Sequence, residues 1–504
     1  MAKTLRIYYT SDTHGYFAPL DYATGERAAT GLLNCAANFE RDGNSLVIDG
    51  GDTLQGSPFT YFLHEQGGDE GAVCARLMNL CGFQFVTLGN HDFNYGTENL
   101  ARYLEALDAR CLCANVEGLP HVDKTAVVTL ENGLRVGLTG VVTHFINVWE
   151  KPENLRGVRI SEPIPAARAA LKELRRQGAE ITVCIYHGGF ENDLATGAPL
   201  SDTGENQGWR LCRELDFDVL LSGHQHMAAE DLCLFGTFSC QPPDKARAYI
   251  GMELSVENGR VTASSRLCPA GVRTLPGADA LLGPLNEATA RWLDTPVGRL
   301  DTALEPDTPL NMALHGSLIA NFFNQVQLEA SGADISATCL GNEVKGFERD
   351  VTIRDVVATY IYPNTLRTLR VDRDVLKAAL ERCAAYFDFD ERGALCVSES
   401  FLKPKIEHYN FDYFAGIEVI MDLRRPVGER VRSIVWKGKE LPRGRALTLC
   451  LNNYRATGTG GYPAYAACRV VRDQPTEIVE MIMDYIKAHG DITVDKTKWY
   501  TILT

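Results

Sequence analysis

Leu5-Arg-Ile-Tyr-Tyr-Thr-Ser-Asp-Thr-His14 runs a short apolar stretch into two residues of metal-ligand type, Asp12 and His14. The same construction recurs down the first half of the chain. Ser45–Ile48 leads to Gly50-Gly51-Asp52, and Phe85–Leu88 leads to Gly89-Asn90-His91. Ile181–Ile185 leads to Tyr186-His187-Gly188-Gly189, and Val219–Leu221 leads to Gly223-His224-Gln225-His226. Each apolar run reads as a strand, and helical spacing falls between them. Leu32, Cys35, Ala36 and Phe39 share a face within Gly31–Arg41, as do Val73, Leu77, Leu80 and Cys81 further on. Ala167, Ala170, Leu171 and Leu174 do so within Ala166–Gln177, a helix that Gly178 stops. Alternating strands and helices predict an α/β fold, with ligands at the carboxyl ends of five strands, where such sheets place their sites.

The ligand types define the chemistry. Carboxylate, amide oxygen and imidazole, delivered repeatedly from strand ends, are what a two-metal phosphoester-cleaving site requires. Residues two apart in an extended segment point the same way, so Asp12 and His14 can grip one ion together. The same spacing applies to His224 and His226, each of which could also serve a different ion. Asp52, after two glycines that permit close backbone approach, suits a bridging carboxylate. An anion is needed between two dications about 4 Å apart, which otherwise repel strongly. Asn90 offers an amide oxygen and His187 an imidazole. His91 follows a ligand and is expected to face substrate, neutralising phosphoryl oxygens or protonating the leaving group. The alternative is a supporting hydrogen bond to a neighbouring ligand. A single strand-end histidine is ordinarily solvated or satisfied in a core, so the weight rests on five such pieces in order. His64, His121, His144, His315, His408 and His489 lack this context and read as ordinary.

At 504 residues the chain exceeds one comfortable core. Around Pro269–Pro309 proline and glycine become frequent, with one polar helix pattern at Asp279–Leu293, so the organisation expected is a first domain over 1–268, a linker with a helix over 269–309, and a second domain over 310–504. In the latter, Leu376, Leu380, Cys383 and Ala384 form one apolar stripe, and Ile478, Met481, Ile482 and Tyr485 another. A net charge of −15 argues against a nucleic-acid polymer as partner. A small phosphorylated substrate remains compatible, because bound dications reverse the local field. No run approaches the ~20 apolar residues of a membrane span. The first ligand motif leaves no room for a secretory signal, and fifteen cysteines are scattered without a disulfide pattern, so a cytoplasmic protein with reduced thiols is expected. The oligomeric state is not legible.

Taken together, these segments resemble the calcineurin-type metallophosphatase domain. With the second unit, nearly the full length is similar to the 5′-nucleotidase superfamily. Gly89-Asn-His-Asp-Phe-Asn-Tyr-Gly96, Tyr362-Pro-Asn-Thr-Leu366 and Asn452-Asn-Tyr-Arg-Ala-Thr-Gly-Thr-Gly-Gly-Tyr-Pro463 look most like its branch of 2′,3′-cyclic-nucleotide 2′-phosphodiesterase/3′-nucleotidases. The resemblance implies a four-layer α/β/β/α metallophosphatase domain, a linker helix and a second α/β domain that binds the nucleotide. It implies two divalent ions, zinc, manganese or iron. One would be held by Asp12, His14, Asp52 and His226, the other by the shared Asp52 with Asn90, His187 and His224. His91 would be the transition-state histidine. In the 5′-nucleotidases an Asp three residues later orients that histidine; here Asn94 stands there, which fits the cyclic-phosphodiesterase branch. The family sandwiches the base between two aromatic rings, which points to Tyr462 with Phe411 or, second, Tyr413. Asn452 and Asn453 would contact the ligand or cap the strand end. The Gly-Gly-Gly-x-Arg loop of the 5′-nucleotidases is replaced by Thr338-Cys-Leu-Gly-Asn-Glu-Val-Lys345, leaving Lys345 or Arg349 as substitutes for its arginine. The activity implied is hydrolysis of 2′,3′-cyclic nucleotides and 3′-nucleotides. The alternatives are a 5′-nucleotidase or UDP-sugar hydrolase on the same scaffold, and a nucleotide-binding or sensing protein without catalysis.

Overall fold

Leu5, Ile7 and Tyr9 alternate along the strand Lys3–Thr10 and are all fully buried, so this strand packs one whole face into a core. That core lies between two sheets. Leu46, Ile48, Phe85, Ile250 and Leu254 join it from the first sheet; Val136, Leu138, Val183, Ile185, Val219 and Leu221 join it from the second. Each large apolar side chain so enclosed contributes roughly 1.5–3 kcal/mol. A computed structural model supplies the coordinates and describes residues 2–67, 69–199, 204–362, 364–403 and 405–504. Pro363, within Tyr362-Pro-Asn-Thr-Leu366, lies outside the described residues.

The first sheet has seven strands. Lys3–Thr10, Ser45–Asp49, Phe85–Val86, Arg110–Leu112 and Val122–Asp123 run parallel in that order, and the antiparallel pair Ala248–Glu257 and Arg260–Pro269 extends it beyond Lys3–Thr10. The second has six, with Arg135–Val142, Ile181–His187, Val219–Ser222 and Thr237–Gln241 parallel and an antiparallel strand at each edge. Helices cover the outer faces, which gives the α/β/β/α layering. Pro163–Arg176 lays Ala167, Ala170, Leu171 and Leu174 on Val141, Cys184 and Leu220 of the second sheet. On the first sheet, Phe39, just beyond the helix Leu32–Ala36, stacks on Tyr8 at 5.2 Å.

Several elements depart from the sequence reading. The helix expected over Gly31–Arg41 is confined to Leu32–Ala36. Beyond it the backbone tightens to bonds three residues back, and the Asn38 side chain donates to the Asn34 carbonyl, a local bond that competes with helix propagation. Only Phe85–Val86 pair as strand, so Leu88 belongs to the loop that carries Asn90 and His91. Leu80 is 39% exposed; the buried stripe of Glu70–Cys81 runs through Val73, Cys74, Leu77, Met78 and Cys81 instead. Pro163 at the first turn starts the Pro163–Arg176 helix earlier than expected.

Residues 1–290 form one compact unit and 291–504 a second, so the 269–309 stretch is divided between them. The second unit is also α/β. Its five-stranded sheet takes the order Asp412–Ala415, Ile335–Cys339, Leu447–Asn452, Thr365–Val371, Arg469–Glu477. Leu318–Ser331, Arg373–Ala384 and Ile478–His489 are its longer helices. Pro296–Leu300, within the expected linker, pairs with Asp350–Thr352 and Asp491–Ile492 of this unit. Among the described residues no helix is long and apolar enough to cross a membrane. All fifteen cysteines carry free thiols.

Candidate active site

Five loops leave the carboxyl ends of the central strands and meet. The first two are zipped by backbone: Asp12 N–H donates to the Gly51 carbonyl at 2.9 Å, and His14 N–H to that of Asp52 at 2.8 Å. Asp12, His14, Asp52, His224 and His226 all have φ between 50° and 73°. This left-handed region costs a non-glycine residue of order 1–3 kcal/mol and persists only where its surroundings dictate it. Here the dictating groups are those backbone bonds and the Asp12 carboxylate, which accepts from His224 N–H at 2.9 Å. Gly51, at φ 88°, is required by close approach, since a side chain there would run into the backbone of Leu88 and Gly89. One buried carboxylate fastens the second loop to the third. Asp92 accepts four backbone N–H bonds, from Asp52, Thr53, Leu54 and Gly89, at 2.8–3.0 Å.

Seven side chains converge as two overlapping groups. In one, His226 Nε2 lies 3.4 Å from Asp12 Oδ1 and 3.0 Å from His14 Nε2, while His14 Nε2 is 3.9 Å from Asp52 Oδ2. In the other, His187 Nε2 lies 3.2 Å from both Asp52 Oδ2 and Asn90 Oδ1, and His224 Nδ1 is 2.9 Å from Asn90 Oδ1. Asp52 thus stands between the groups. Its Oδ1 accepts from His91 N–H at 2.7 Å, whereas its buried Oδ2 has no hydrogen-bond partner.

These residues fit divalent cations. The outward nitrogens are committed: His14 Nδ1 to the Gln55 carbonyl at 2.8 Å, His187 Nδ1 to the Gly50 carbonyl at 2.7 Å, and His224 Nε2 to Glu205 at 3.0 Å. His226 Nδ1 faces Asp244 at 3.7 Å. Fixing the outer N–H turns each inner lone pair toward the centre, as in metal-ligating histidines. The buried Asp52 oxygen without a hydrogen-bond partner, with imidazole nitrogens gathered about it, is unfavourable unless a cation lies among them. Burial pushes the Asp12 and Asp52 carboxyls up, but His187 and its neighbouring imidazoles outweigh it and hold both below the usual range. Burial lowers His187, yet Asp52 and Asp12 raise it to about 10. His14, desolvated and beside His226, falls to about 4.

His91 stands at the rim, its ring 5.3 Å from that of His14. Its Nδ1 lies 2.7 Å from Asn94 Oδ1, which leaves Nε2 as the nitrogen available to a ligand. Sequence reasoning missed the groups that hold these side chains: Asp92, Glu205, Asp244, Trp149, which stacks on His224 at 5.6 Å, and Glu150, which accepts from Asn94. Asp92 lies within the Gly-Asn-His-Asp string and was visible there. The others come from segments without ligand patterning.

In the second unit, Tyr462, Phe411 and Tyr413 are buried, at 2%, 2% and 5% exposure, and offer no free face for stacking. Tyr462 lies flat against Tyr465 at 5.6 Å, and its hydroxyl donates to the Asn410 carbonyl at 2.8 Å. The glycine-rich loop that carries Tyr462 folds down on its neighbours. Gly460 and Gly461 lie against the side chains of Arg455 and Arg382, where no Cβ would fit. Arg455 is paired with Asp412 at 3.1 Å and lies over the Tyr462 ring. Asn452 caps the turn Asn453–Ala456 by accepting from Arg455 N–H at 2.7 Å, and Asn453 accepts from Thr365 N–H at 3.0 Å. Both therefore act on the backbone. Tyr362 and Tyr409, 6.2 Å apart, keep partly exposed rings. Lys345 and Arg349 are both exposed.

Comparison with known proteins gives the same two parts. Residues 5–228 match the family model for calcineurin-like phosphoesterases, a span that contains all seven converging side chains, and residues 296–467 match that for the 5′-nucleotidase C-terminal domain. A 2′,3′-cyclic-nucleotide 2′-phosphodiesterase/3′-nucleotidase of Haemophilus influenzae is 26% identical, covering 97% of this chain and 85% of its own. One of Salmonella typhimurium is 25% identical over 90% and 81%. Among solved structures, a Staphylococcus aureus candidate 5′-nucleotidase in complex with alpha-ketoglutarate superposes with a TM-score of 0.89. It is 31% identical and covers 99% of this chain and 100% of its own.

Proposed function

The chain belongs to the 5′-nucleotidase superfamily, a calcineurin-like phosphoesterase domain followed by a 5′-nucleotidase C-terminal domain; from that premise we propose that this metal-dependent phosphoesterase opens 2′,3′-cyclic nucleotides and then hydrolyses the resulting 3′-nucleotides. The observation that carries the reading is the amide of Asn94, rather than a carboxylate, against His91 Nδ1, in a chain similar over nearly its full length to relatives that bear those activities in their names.

Asp12, His14, Asp52 and His226 would hold one divalent ion, and Asp52, Asn90, His187 and His224 the other. When bound, the pair supplies a nucleophile at neutral pH and Lewis-acid stabilisation of the phosphoryl group. Mixed nitrogen and oxygen donors accept zinc, manganese or iron. The protein's own part is to fix positions. Asp52 keeps one oxygen directed at the centre and spends the other on His91 N–H, so metal group and catalytic histidine are set by a single side chain. With Nδ1 held, His91 presents Nε2 to the phosphoryl or leaving oxygen, where an imidazolium neutralises developing charge or donates its proton. The second unit is our candidate for holding the nucleoside, with the partly exposed Tyr409 and Tyr362 as its stacking rings. Stacking is worth about 1–3 kcal/mol per base and tolerates different bases. Fifteen free thiols favour a reducing compartment.

A 5′-nucleotidase is the second reading, favoured by the similarity to the Staphylococcus aureus protein. Phosphate release from 2′,3′-cyclic, 3′- and 5′-nucleotides and from UDP-glucose, assayed with Mn²⁺ and with Zn²⁺, separates the two. Cyclic nucleotides are expected to give 3′-nucleotide, then nucleoside and phosphate. Preference for 5′-nucleotides would replace the first reading with the second. Tight nucleotide binding without turnover would overturn both in favour of a sensing protein.

A further inference from the structure

The catalytic histidine is backed by an amide, and the amide by a carboxylate. Asn94 Oδ1 faces His91 Nδ1 at 2.7 Å, and Asn94 Nδ2 donates to Glu150 Oε2 at 2.5 Å. The other Glu150 oxygen accepts from Lys151 N–H at 2.7 Å and from Asn154 Nδ2 at 2.9 Å; Asn154 Nδ2 also donates to the Asn94 carbonyl at 2.7 Å. Glu150 therefore cannot turn away without losing two bonds. It ends the short helix Ile146–Trp149, and its N–H is tied to the Ile146 carbonyl at 2.9 Å.

The order of donors is forced along this chain. An ionised carboxylate only accepts, so the NH2 end of Asn94 must face Glu150. The carbonyl end must then face His91, and Nδ1 must carry the hydrogen. We propose that Glu150 is the carboxylate that supports His91, acting through Asn94 as a positioning residue. It fixes the imidazole tautomer with Nε2 toward the substrate and polarises the amide carbonyl against which His91 gains charge. The inference rests on the reading above, in which His91 acts on the phosphoryl or leaving oxygen.

A charge exchange along the chain tests it. Glu150→Gln keeps an oxygen for Lys151 and Asn154 but opposes two NH2 groups, so Asn94 must turn over and oppose His91. Turnover should fall roughly 10- to 100-fold, the usual range for a supporting partner. KM, metal content and thermal midpoint should hold. Asn94→Asp alone sets two carboxylates against each other and should also slow the enzyme. The double variant, Asn94→Asp with Glu150→Gln, restores a complete chain. Its carboxylate accepts from His91 and receives the glutamine NH2, and kcat should return to within a few-fold of the parent. Independent structural damage predicts the product of the two single losses instead. Parent-like turnover in Glu150→Gln, or a double variant no faster than that product, overturns the inference. His91→Ala run in parallel separates the causes. If it is slow while Glu150→Gln is normal, the inference alone fails. If it is as fast as the parent, the role given to His91 fails and the inference with it.

Discussion

At the residue scale, His91 and its neighbour Asn90 have different tasks, although one backbone carries both. Asn90 lies against His187 and His224, whereas His91 is engaged through Nδ1 and its own N–H. His91→Ala should therefore keep the metal content of the parent and lose about 10²-fold or more in kcat, as removal of a transition-state group does. Loss of metal in that variant would make His91 a ligand. Asp49, at the end of Ser45–Asp49, gives a second prediction. Its buried carboxyl accepts from Thr10, Thr53 and Gly51 N–H, yet desolvation pushes it up to about 7. A folded pKa above the unfolded one means that the native state binds the extra proton, so the parent loses stability as pH rises from about 4 through 7. Asp49→Asn removes that loss; relative to the parent it should be more stable at pH 8 than at pH 5 in denaturant unfolding. An unchanged difference would mean that Asp49 titrates normally. The seven converging side chains were legible because strand-end Asp, Asn and His repeat in sequence. Glu150 was not, because it lies 56 residues from Asn94 and no local pattern connects them.

At the scale of elements, sequence signalled the strands better than the loops between them. Apolar runs located the central strands to within a few residues, since burial on both faces leaves little choice of side chain. The backbone of the loops that carry the converging side chains was not legible. Asp12, His14, Asp52, His224 and His226 are ordinary residues whose left-handed conformation comes from long-range bonds, such as Asp12 N–H to Gly51. The Gly-Gly before Asp52 was the one trace. Gly51→Ala should accordingly disturb the Asp52 and Asn90 loops together, because its methyl would meet the backbone of Leu88 and Gly89. Metal affinity should fall by an order of magnitude or more in a titration, with folded secondary structure retained by circular dichroism. Normal affinity would show that the loops can separate without cost. The glycine-rich loop of the second unit taught the reverse lesson. Gly460 and Gly461 there bring Arg455 and Arg382 close, and Tyr462, the ring to which the family resemblance pointed, is buried, a packing that the glycines alone do not announce.

At the scale of the whole molecule, each unit has a core of its own, and all seven converging side chains belong to the first. Metal binding should stabilise that unit by linkage, by about 2.7 kcal/mol when free metal is a hundredfold above its dissociation constant. Calorimetry is expected to show two transitions, of which EDTA lowers one. Two transitions both indifferent to chelation would mean that the site is not built on the folded first unit. The carboxylate of Asp92 adds a consequence in time. Four amide hydrogens from two loops end on it, all enclosed. They can exchange with deuterium only when the first unit opens entirely, whereas the partly exposed segment around Glu150 can exchange through local excursions. Deuterium uptake would then divide the site into a frame that lasts as long as the fold and a margin renewed many times within that life.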